Sequence, residues 1–573
     1  MAHRLLDPHL EFDEEASSLQ EVDVEHLGPE ERHPLLPPLA QQPQSPPQLF
    51  KGQYGSSDTE PRVSMVLDIG SLGSRRVGRG VHLLAGSWLP GRKVALNFRF
   101  LRERGGVFKF LCLSTIVIFV IYLLFPFSVL NNDALGRDLV VGHPFFPPAI
   151  QNSWGAYTPY FSVQPYPPPP PHCTISQVNI IQRHGARFPT TGAASRIQAA
   201  LEKLQSADEF LNPKMKFLAD YVYSLGQNDL LRYGAAESVT AGKEAYDRYS
   251  FLISQDNLPF VRASLSPRVV DSATNWTAGF SLASNHVFNP VLSVTMDEKM
   301  NDTLDDAMCP NAGSSDAQTA VWTSVYAPPI ATRLNAQAPG ATLTAEDISN
   351  LIPLCAFETL AKQAPSPFCD LFTPQEFGQY EYNSDLDKYY GTGYGQSLGP
   401  VQGVGYINEL LARLTETPVS DNTQTNRTLD SSPATFPLNR TLYADFSHDN
   451  QMIAIYSAMG LFKQAEPLSP RKMDTSLRRT WITSRLTPFS GRMVVERLSC
   501  DSSNSGRFGR RLASRSVRSD EREACVRILV NDALQPLQFC GADGNGLCTL
   551  DAFVQSQAYA RNDGDGDFKK CFP

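Results

Sequence analysis

Twice in this chain a short apolar run leads into a polar loop and then into an apolar helical pattern. The first passage runs from "QVNII" through "QRHGARFPT" to "SRIQAALEKLQ", where Ile197, Leu201 and Leu204 stand at i, i+4 and i+7. That spacing predicts a helix with one buried face. The second runs from "TLYADF" through "SHDN" to "QMIAIYSAMGLF", with Leu442, Ala444 and Phe446 alternating as in a strand. Asp449 and Asn450 stand where a helix N-cap belongs. Two strand–loop–helix units, each with polar residues at the strand's carboxyl end, imply an α/β fold with a mostly parallel sheet flanked by helices. The two loops would then meet in one cleft at the sheet's edge.

The first loop gathers Arg183, His184 and Arg187 around Gly185. Like charges repel, so packing gives no motive for the cluster, whereas an anionic ligand does. Arginine forks match phosphate oxygens in geometry, and a glycine lets the backbone come close to a ligand. A histidine among guanidiniums is disfavoured as the imidazolium, so it stays neutral in mild acid. A neutral imidazole beside a bound phosphate is a competent nucleophile. The chain's formal net charge of −9 excludes a general nucleic-acid binder as the explanation for these arginines.

Upstream lies "FLCLSTIVIFVIYLLFPFSVL", Phe110 to Leu130, without a charged residue. It matches the roughly 20 apolar residues that a bilayer core requires. Residues 75–109 before it carry nine Lys or Arg and a single acid, Glu103. This bias predicts a type II anchor over 106–130, with residues 1–105 as a disordered cytoplasmic tail and the rest lumenal or extracellular. Signal peptides occupy the first ~30 residues, and this run begins far beyond them. In the tail, Glu31, Leu35 and Leu36 fit the acidic-dileucine pattern that sorting adaptors read. Prolines in "PYPPPPPH" suggest that 131–172 is an extended stalk. Nine of the ten cysteines lie beyond the apolar run, where an oxidising compartment would let them pair. So do four N-x-Thr sequons, at Asn275, Asn301, Asn426 and Asn439. The basic, Ser-rich stretch at 505–523 reads as an exposed loop.

"RHGARFP" resembles the signature of the histidine acid phosphatases, the second clade of the histidine phosphatase superfamily. "LYADFSHDN" is similar to that clade's second signature, and "SPRVVDSATNWTAGF" to the segment that brings a third phosphate-binding arginine, here Arg268. "GPVQGVGYINELLARLT" and "RILVND" look like fungal phytases, and "RHGARFPTTGAASRIQAALEKLQ" most like the basidiomycete ones. The likeness spans about residues 160–573 and reaches neither tail nor apolar run.

The resemblance implies a phosphoglycerate-mutase-like catalytic domain over 173–573. Its α/β core would cover about 173–200 and 395–573, and a helical subdomain about 201–394. It implies that His184 is the nucleophile and Asp449 the proton donor, with Arg183, Arg187, Arg268 and His448 holding the phosphoryl oxygens. The implied reaction is phosphomonoester hydrolysis through a phosphohistidine, with phytate (inositol hexakisphosphate) as substrate. A broad acid phosphatase, or a silent inositol-phosphate receptor, would carry the same residues. The resemblance also implies the bridges Cys173–Cys500, Cys309–Cys571, Cys355–Cys369 and Cys540–Cys548. Cys525 is left over, as a buried free thiol or an intermolecular link.

Several secreted phytases carry lysines just after the first motif, whereas here Arg196 is the nearest cation. No cofactor is implied and no metal: the Cys and His residues lack structural-zinc spacing. "DGDGDF" near the end lacks the glycine and the final acid of a calcium loop, and reads as a solvated turn.

Overall fold

The computed structural model describes residues 141, 144–476, 479–501 and 522–573. The expected tail, the expected anchor at 106–130, the Glu31, Leu35 and Leu36 motif, and residues 505–521 of the basic stretch all lie outside the described residues. Among the described residues no helix is long and apolar enough to cross a membrane.

Among the described residues, eight strands form one sheet. They are β1 (Cys173–Arg183), β2 (Phe260–Ser264), β3 (Leu292–Met296), β4 (Leu442–Ser447), β5 (Arg492–Asp501), β6 (Arg522–Val530), β7 (Ala533–Leu534) and β8 (Cys548–Thr549). Their order is β3-β2-β4-β1-β5-β6-β7, with β8 on β6. β3, β2, β4 and β1 pair in parallel, and the pairings from β1 through β5 to β6, β7 and β8 are antiparallel. The sheet is therefore mixed: β1, β2, β3, β4 and β6 run one way and β5, β7 and β8 the other. The parallel half is the half that matters for function. β1 is buried on both faces from Gln177 onward, as expected where helices cover both sides of a sheet.

The longer helices are α1 (Thr191–Gln205), α2 (Arg232–Tyr249), α3 (Pro267–Ala283), α4 (Asp316–Gln337), α5 (Ala345–Lys362), α6 (Pro374–Gly391), α7 (Val404–Thr415) and α8 (Asp449–Met459). As the spacing predicts, α1 buries Ile197, Leu201 and Leu204. One sheet face packs Val178, Ile180, Val261 and Ala444 against Ala241 and Ala245 of α2 and Val269, Ala273 and Trp276 of α3.

Two boundaries differ from expectation. The span 201–394 is not a continuous helical subdomain, because it contributes β2 and β3 to the sheet; the helical part is α4 to α6. β2 is hard to read in sequence because its middle residue is Arg262, whose charge interrupts the apolar run. Arg262 is nevertheless buried, with Nε 2.8 Å from Asp445 and Nη2 2.6 Å from Glu409. The presumed stalk is also partly built into the domain. Trp154 and Thr158 are buried, Val163 N donates to Asn531 O at 2.9 Å, and Tyr166 OH donates to Glu496 at 2.7 Å. Aromatic side chains supply enough buried area to dock a proline-rich segment that has no secondary structure of its own.

The structure forms all four expected bridges, Cys173–Cys500, Cys309–Cys571, Cys355–Cys369 and Cys540–Cys548. Cys525 is a buried free thiol. Arg522 and Glu523, at the end of the presumed loop, belong to β6.

Candidate active site

The register of β1 on β4 places the two motif loops side by side. Arg183 is level with Ser447, so His184 and His448, one residue further, emerge together at the carboxyl ends of their strands. His184 N donates to Ser447 O at 3.1 Å, and the two imidazole rings are 5.7 Å apart. α3 starts at the same edge, after β2, with Pro267 in its first turn and Arg268 next to it. Arg268 Nη2 lies 3.3 Å from His448 Nδ1.

The Arg/His loop is fixed by its backbone. Gly185 N donates to Ser272 Oγ at 3.0 Å, Ala186 N to Glu237 Oε2 at 2.8 Å, and Leu231 N to Ala186 O at 2.8 Å. Packing by itself requires Gly185 here. A Cβ on it would lie 2.3 Å from the carbonyl oxygen of Gly234, at the start of helix α2. Burial pushes the Glu237 carboxyl up to about 7.

His184 Nδ1 is 2.9 Å from Gly185 O. A carbonyl can only accept, so Nδ1 carries the proton and Nε2 keeps its lone pair. Burial first, then Arg183 and Arg187, hold the ring well below its ordinary value. Neutrality was the sequence expectation, but burial contributes more to it than charge repulsion does. Arg183 is fully buried beneath the site. Its Nη1 donates to Ala156 O and, at 2.8 Å, to Thr487 O, and its guanidinium lies 4.6 Å from the centre of the Phe489 ring. Burial lowers its affinity for its proton, to about 10. Nε of Arg183, Arg187 and Arg268 are buried and find no hydrogen-bond partner among the described residues. Three neighbouring guanidiniums with donor capacity to spare suit an anionic acceptor in the cavity.

Asp449 is the first residue of α8, and the N-cap position belongs to His448. Neither Asp449 nor Asn450 caps the helix. Asp449 Oδ2 instead faces Arg183 Nη2 at 3.3 Å and Lys388 Nζ at 2.9 Å. Burial alone would raise its carboxyl, but Arg183 and Lys388 outweigh that and hold it well below the usual range.

The site opens into a cavity of about 450 Å³ whose lining includes Arg187, Arg268, His448 and Asp449. Arg183 and His184 lie beneath them, buried. The sequence motifs are thus brought together at one point.

Residues 174–531 match the model of the histidine phosphatase superfamily, branch 2. The chain belongs to that family. It is 40% identical over 444 residues to phytase A of Emericella nidulans, covering 74% of this chain and 91% of that one. With phytase A of Aspergillus oryzae the identity is 38% over 446 residues, at the same coverage. The crystal structure of the phytase from D. castellii superimposes with a TM-score of 0.57 at 26% identity, covering 72% of this chain and 85% of that one. Sequence and fold therefore agree on a histidine acid phosphatase, similar to fungal phytases.

Several cavity residues of this phosphatase escaped the sequence reading: Tyr157, Asp305, Asp306, Asp387 and, above all, Lys388. Lys388 follows Glu381 and Asp385 at i+7 and i+3 on α6, and all three are buried. A row of charges on the inward face of a helix was the available signal. Arg196, noted as the nearest cation after the first motif, does line the cavity. Glu298, Asp305 and His448 are the one group among the described residues whose ligand atoms, within 4.8 Å of one another, could hold a cation. His448 Nε2 is already bonded to Glu298, and the Arg268 guanidinium on its other nitrogen opposes a second positive charge. Of the sequons, Asn301 and Asn439 are exposed and Asn275 and Asn426 half-buried.

Proposed function

We propose that this chain is a phytase that acts through His184 as nucleophile and Asp449 as proton donor. The carrying observation is a neutral His184 with a free Nε2 lone pair, set among arginines whose buried donors are unpaired. His184 Nε2 attacks phosphorus as the bond to the leaving alcohol oxygen breaks, and Asp449 gives that oxygen its proton. Water then attacks the phosphohistidine, Asp449 takes a proton from it, and phosphate departs. Arg183, Arg187, Arg268 and His448 bear the charge that develops on the phosphoryl oxygens.

Asp449 is ionised in the free enzyme, so it must gain a proton before it can donate one. A bound phosphoryl group supplies the means. Its negative charge competes for Arg183 and Lys388, and a carboxylate that loses two cationic partners takes up a proton more readily.

Phytate as substrate is supported by the fungal relatives named phytase A, and by Arg196 and Lys388 on the cavity wall as cations for further phosphates. One observation favours broader specificity: Asp305, Asp306 and Asp387 line the same cavity, and those that are ionised would repel some of phytate's outer phosphates, although burial raises the Asp305 and Asp306 carboxyls. Initial rates on phytate and on para-nitrophenyl phosphate at acid pH, with analysis of the inositol phosphates formed, test the proposal. A kcat/KM for para-nitrophenyl phosphate far above that for phytate would favour the broader enzyme. No turnover of either would leave a silent receptor.

The four bridges and the sequons suit the secretory pathway. The segment 106–130, charge-free from Phe110 onward, would anchor the chain as a type II membrane protein, with the Glu31, Leu35 and Leu36 motif facing sorting adaptors. Protease added to sealed vesicles of lumenal orientation should then trim only the tail, and digestion of the catalytic domain would refute that topology.

A further inference from the structure

His448 is held from both sides. On one side Nδ1 faces Arg268 Nη2 at 3.3 Å, and a guanidinium only donates, so Nδ1 presents its lone pair and Nε2 carries the proton. On the other side Nε2 donates to Glu298 Oε1 at 2.9 Å. That hydrogen bond, ahead of other causes, draws the Glu298 carboxyl down to about 2, so it is an acceptor only.

Behind Glu298 stand Ser264 and Asp302. Ser264 Oγ lies 2.9 Å from Glu298 Oε1 and 2.9 Å from Asp302 Oδ2. A hydroxyl has one proton to donate. If it goes to ionised Glu298, the contact with Asp302 is a hydrogen bond only when Asp302 carries a proton of its own. Asp302 is fully buried, and burial pushes its carboxyl up to about 7. Its other oxygen accepts from Leu304 N at 2.7 Å. With Asp302 protonated the donors run in one direction, from Asp302 to Ser264 to Glu298, where they meet the proton of His448.

We propose that Glu298 is the positioning residue of the phosphate-binding histidine: it sets the His448 ring with Nδ1 toward the phosphoryl site and balances the imidazolium formed there, while Ser264 and Asp302 hold Glu298 in place. An incoming phosphoryl oxygen is an acceptor, as Nδ1 is in the free protein, so the two repel until Nδ1 gains a proton. The phosphate monoanion or solvent supplies it. His448 then donates on both sides, to the phosphoryl oxygen through Nδ1 and to Glu298 through Nε2. The other charged groups around the ring are divided. Asp305, 3.7 Å from Nε2, and Asp306 come from the segment after β3. Arg268 of α3 and His184 and Arg183 at the end of β1 oppose them, and Asp449 with its partner Lys388 completes the shell. Glu298 is the one among them that hydrogen-bonds the ring as an acceptor.

The inference rests on the phosphatase reading, and inorganic phosphate as the probe keeps the two separable. In the full chain, Glu298→Gln keeps the size of the side chain and an acceptor for Nε2–H but removes the charge. Its inhibition constant for inorganic phosphate is expected to rise about 10- to 100-fold, the worth of a charge-assisted hydrogen bond, with the melting temperature unchanged. A purely structural role would be rescued by glutamine, so wild-type phosphate affinity in this variant overturns the proposal. Should the variant not fold, the wild-type chain decides. With 15N-labelled histidine and saturating phosphate, both ring nitrogens of His448, assigned against His448→Asn, should be protonated, and a neutral His448 in the complex refutes it. A wild-type chain that binds phosphate in this way but turns over no ester would sink the enzymatic reading alone.

Discussion

Lys388 Nζ stands 2.9 Å from Asp449 Oδ2, with Asn450 Oδ1 2.7 Å away. The contact joins two parts of the fold that are distant in sequence, since Lys388 comes from α6 among the helices and Asp449 from the start of α8, two residues past β4. Burial usually makes a carboxyl easier to protonate, and here the lysine and Arg183 reverse that.

Removing the lysine should therefore free the acid. In Lys388→Met the Asp449 carboxyl keeps its burial and loses a cation, so it holds its proton to higher pH. The alkaline limb of kcat on an alkyl phosphate is expected to move upward. KM should rise roughly tenfold, as for a lost charged hydrogen bond. A variant with the wild-type pH profile would mean that Lys388 does not govern Asp449.

The buried His184 gives the protein a pH-dependent stability of known sign. Its folded-state value lies well below that of a free histidine, through burial and then through Arg183 and Arg187. Below about pH 6.5 the unfolded chain binds a proton that the folded chain refuses, so stability is lost as pH falls from there toward the depressed value. His184→Ala removes this penalty and adds a cavity whose effect does not depend on pH. The melting temperature of the variant, relative to wild type, should thus be higher at about pH 4.5 than at about pH 7.5. A constant gap between the two proteins would show that His184 titrates as a free residue does.

How much of this was legible beforehand depends on where the signal lay. The β1 and β4 units were readable because local periodicity and motif residues coincide there, and the β1–β4 register then places His184 beside His448 without further information. The parallel strand β2 was not, because Arg262 occupies its centre and its partners Glu409 and Asp445 are 147 and 183 residues away. A buried charge pair is invisible to periodicity. Lys388, Glu298 and the docking of Trp154 were missed for the same reason, since each acts through a contact distant in sequence. Gly185 was recognised as necessary, but its neighbour Gly234 became apparent only with the packing of α2.

The cysteine pattern offers a direct chemical check. Cys173–Cys500 joins β1 to β5 across a separation of 327 residues, whereas Cys540–Cys548 spans 8. On the chain-entropy model the first is worth roughly 5–6 kcal/mol and the second about 2.5 kcal/mol. Mass mapping without reduction should return the four bridges with Cys525 outside all of them. Burial pushes the Cys525 thiol up to about 11, so iodoacetamide should label its peptide only after the chain is unfolded. Rapid labelling of the native protein, or Cys525 within a bridge, would contradict the structure.

The division of labour between His184 and Asp449 can be separated by leaving group. If His184 attacks phosphorus, His184→Ala abolishes turnover of every ester, because no phosphoenzyme forms. Asp449 should matter in proportion to the leaving group's need for a proton. An inositol oxygen leaves poorly unless protonated, whereas para-nitrophenolate departs nearly unaided. General acid catalysis is worth about 10²- to 10⁴-fold, so Asp449→Asn should lose that much on phytate. Asparagine also takes a negative charge away from Arg183 and Lys388, so phosphate should bind the variant at least as tightly as wild type, which separates a lost proton donor from a damaged site. On para-nitrophenyl phosphate the phosphorylation step, read as the burst of nitrophenol before slower dephosphorylation, should be far less affected. Equal losses in phosphorylation rate on the two substrates would make Asp449 a structural partner of Lys388, and another acid lining the cavity, Asp305 or Asp306, would have to supply the proton.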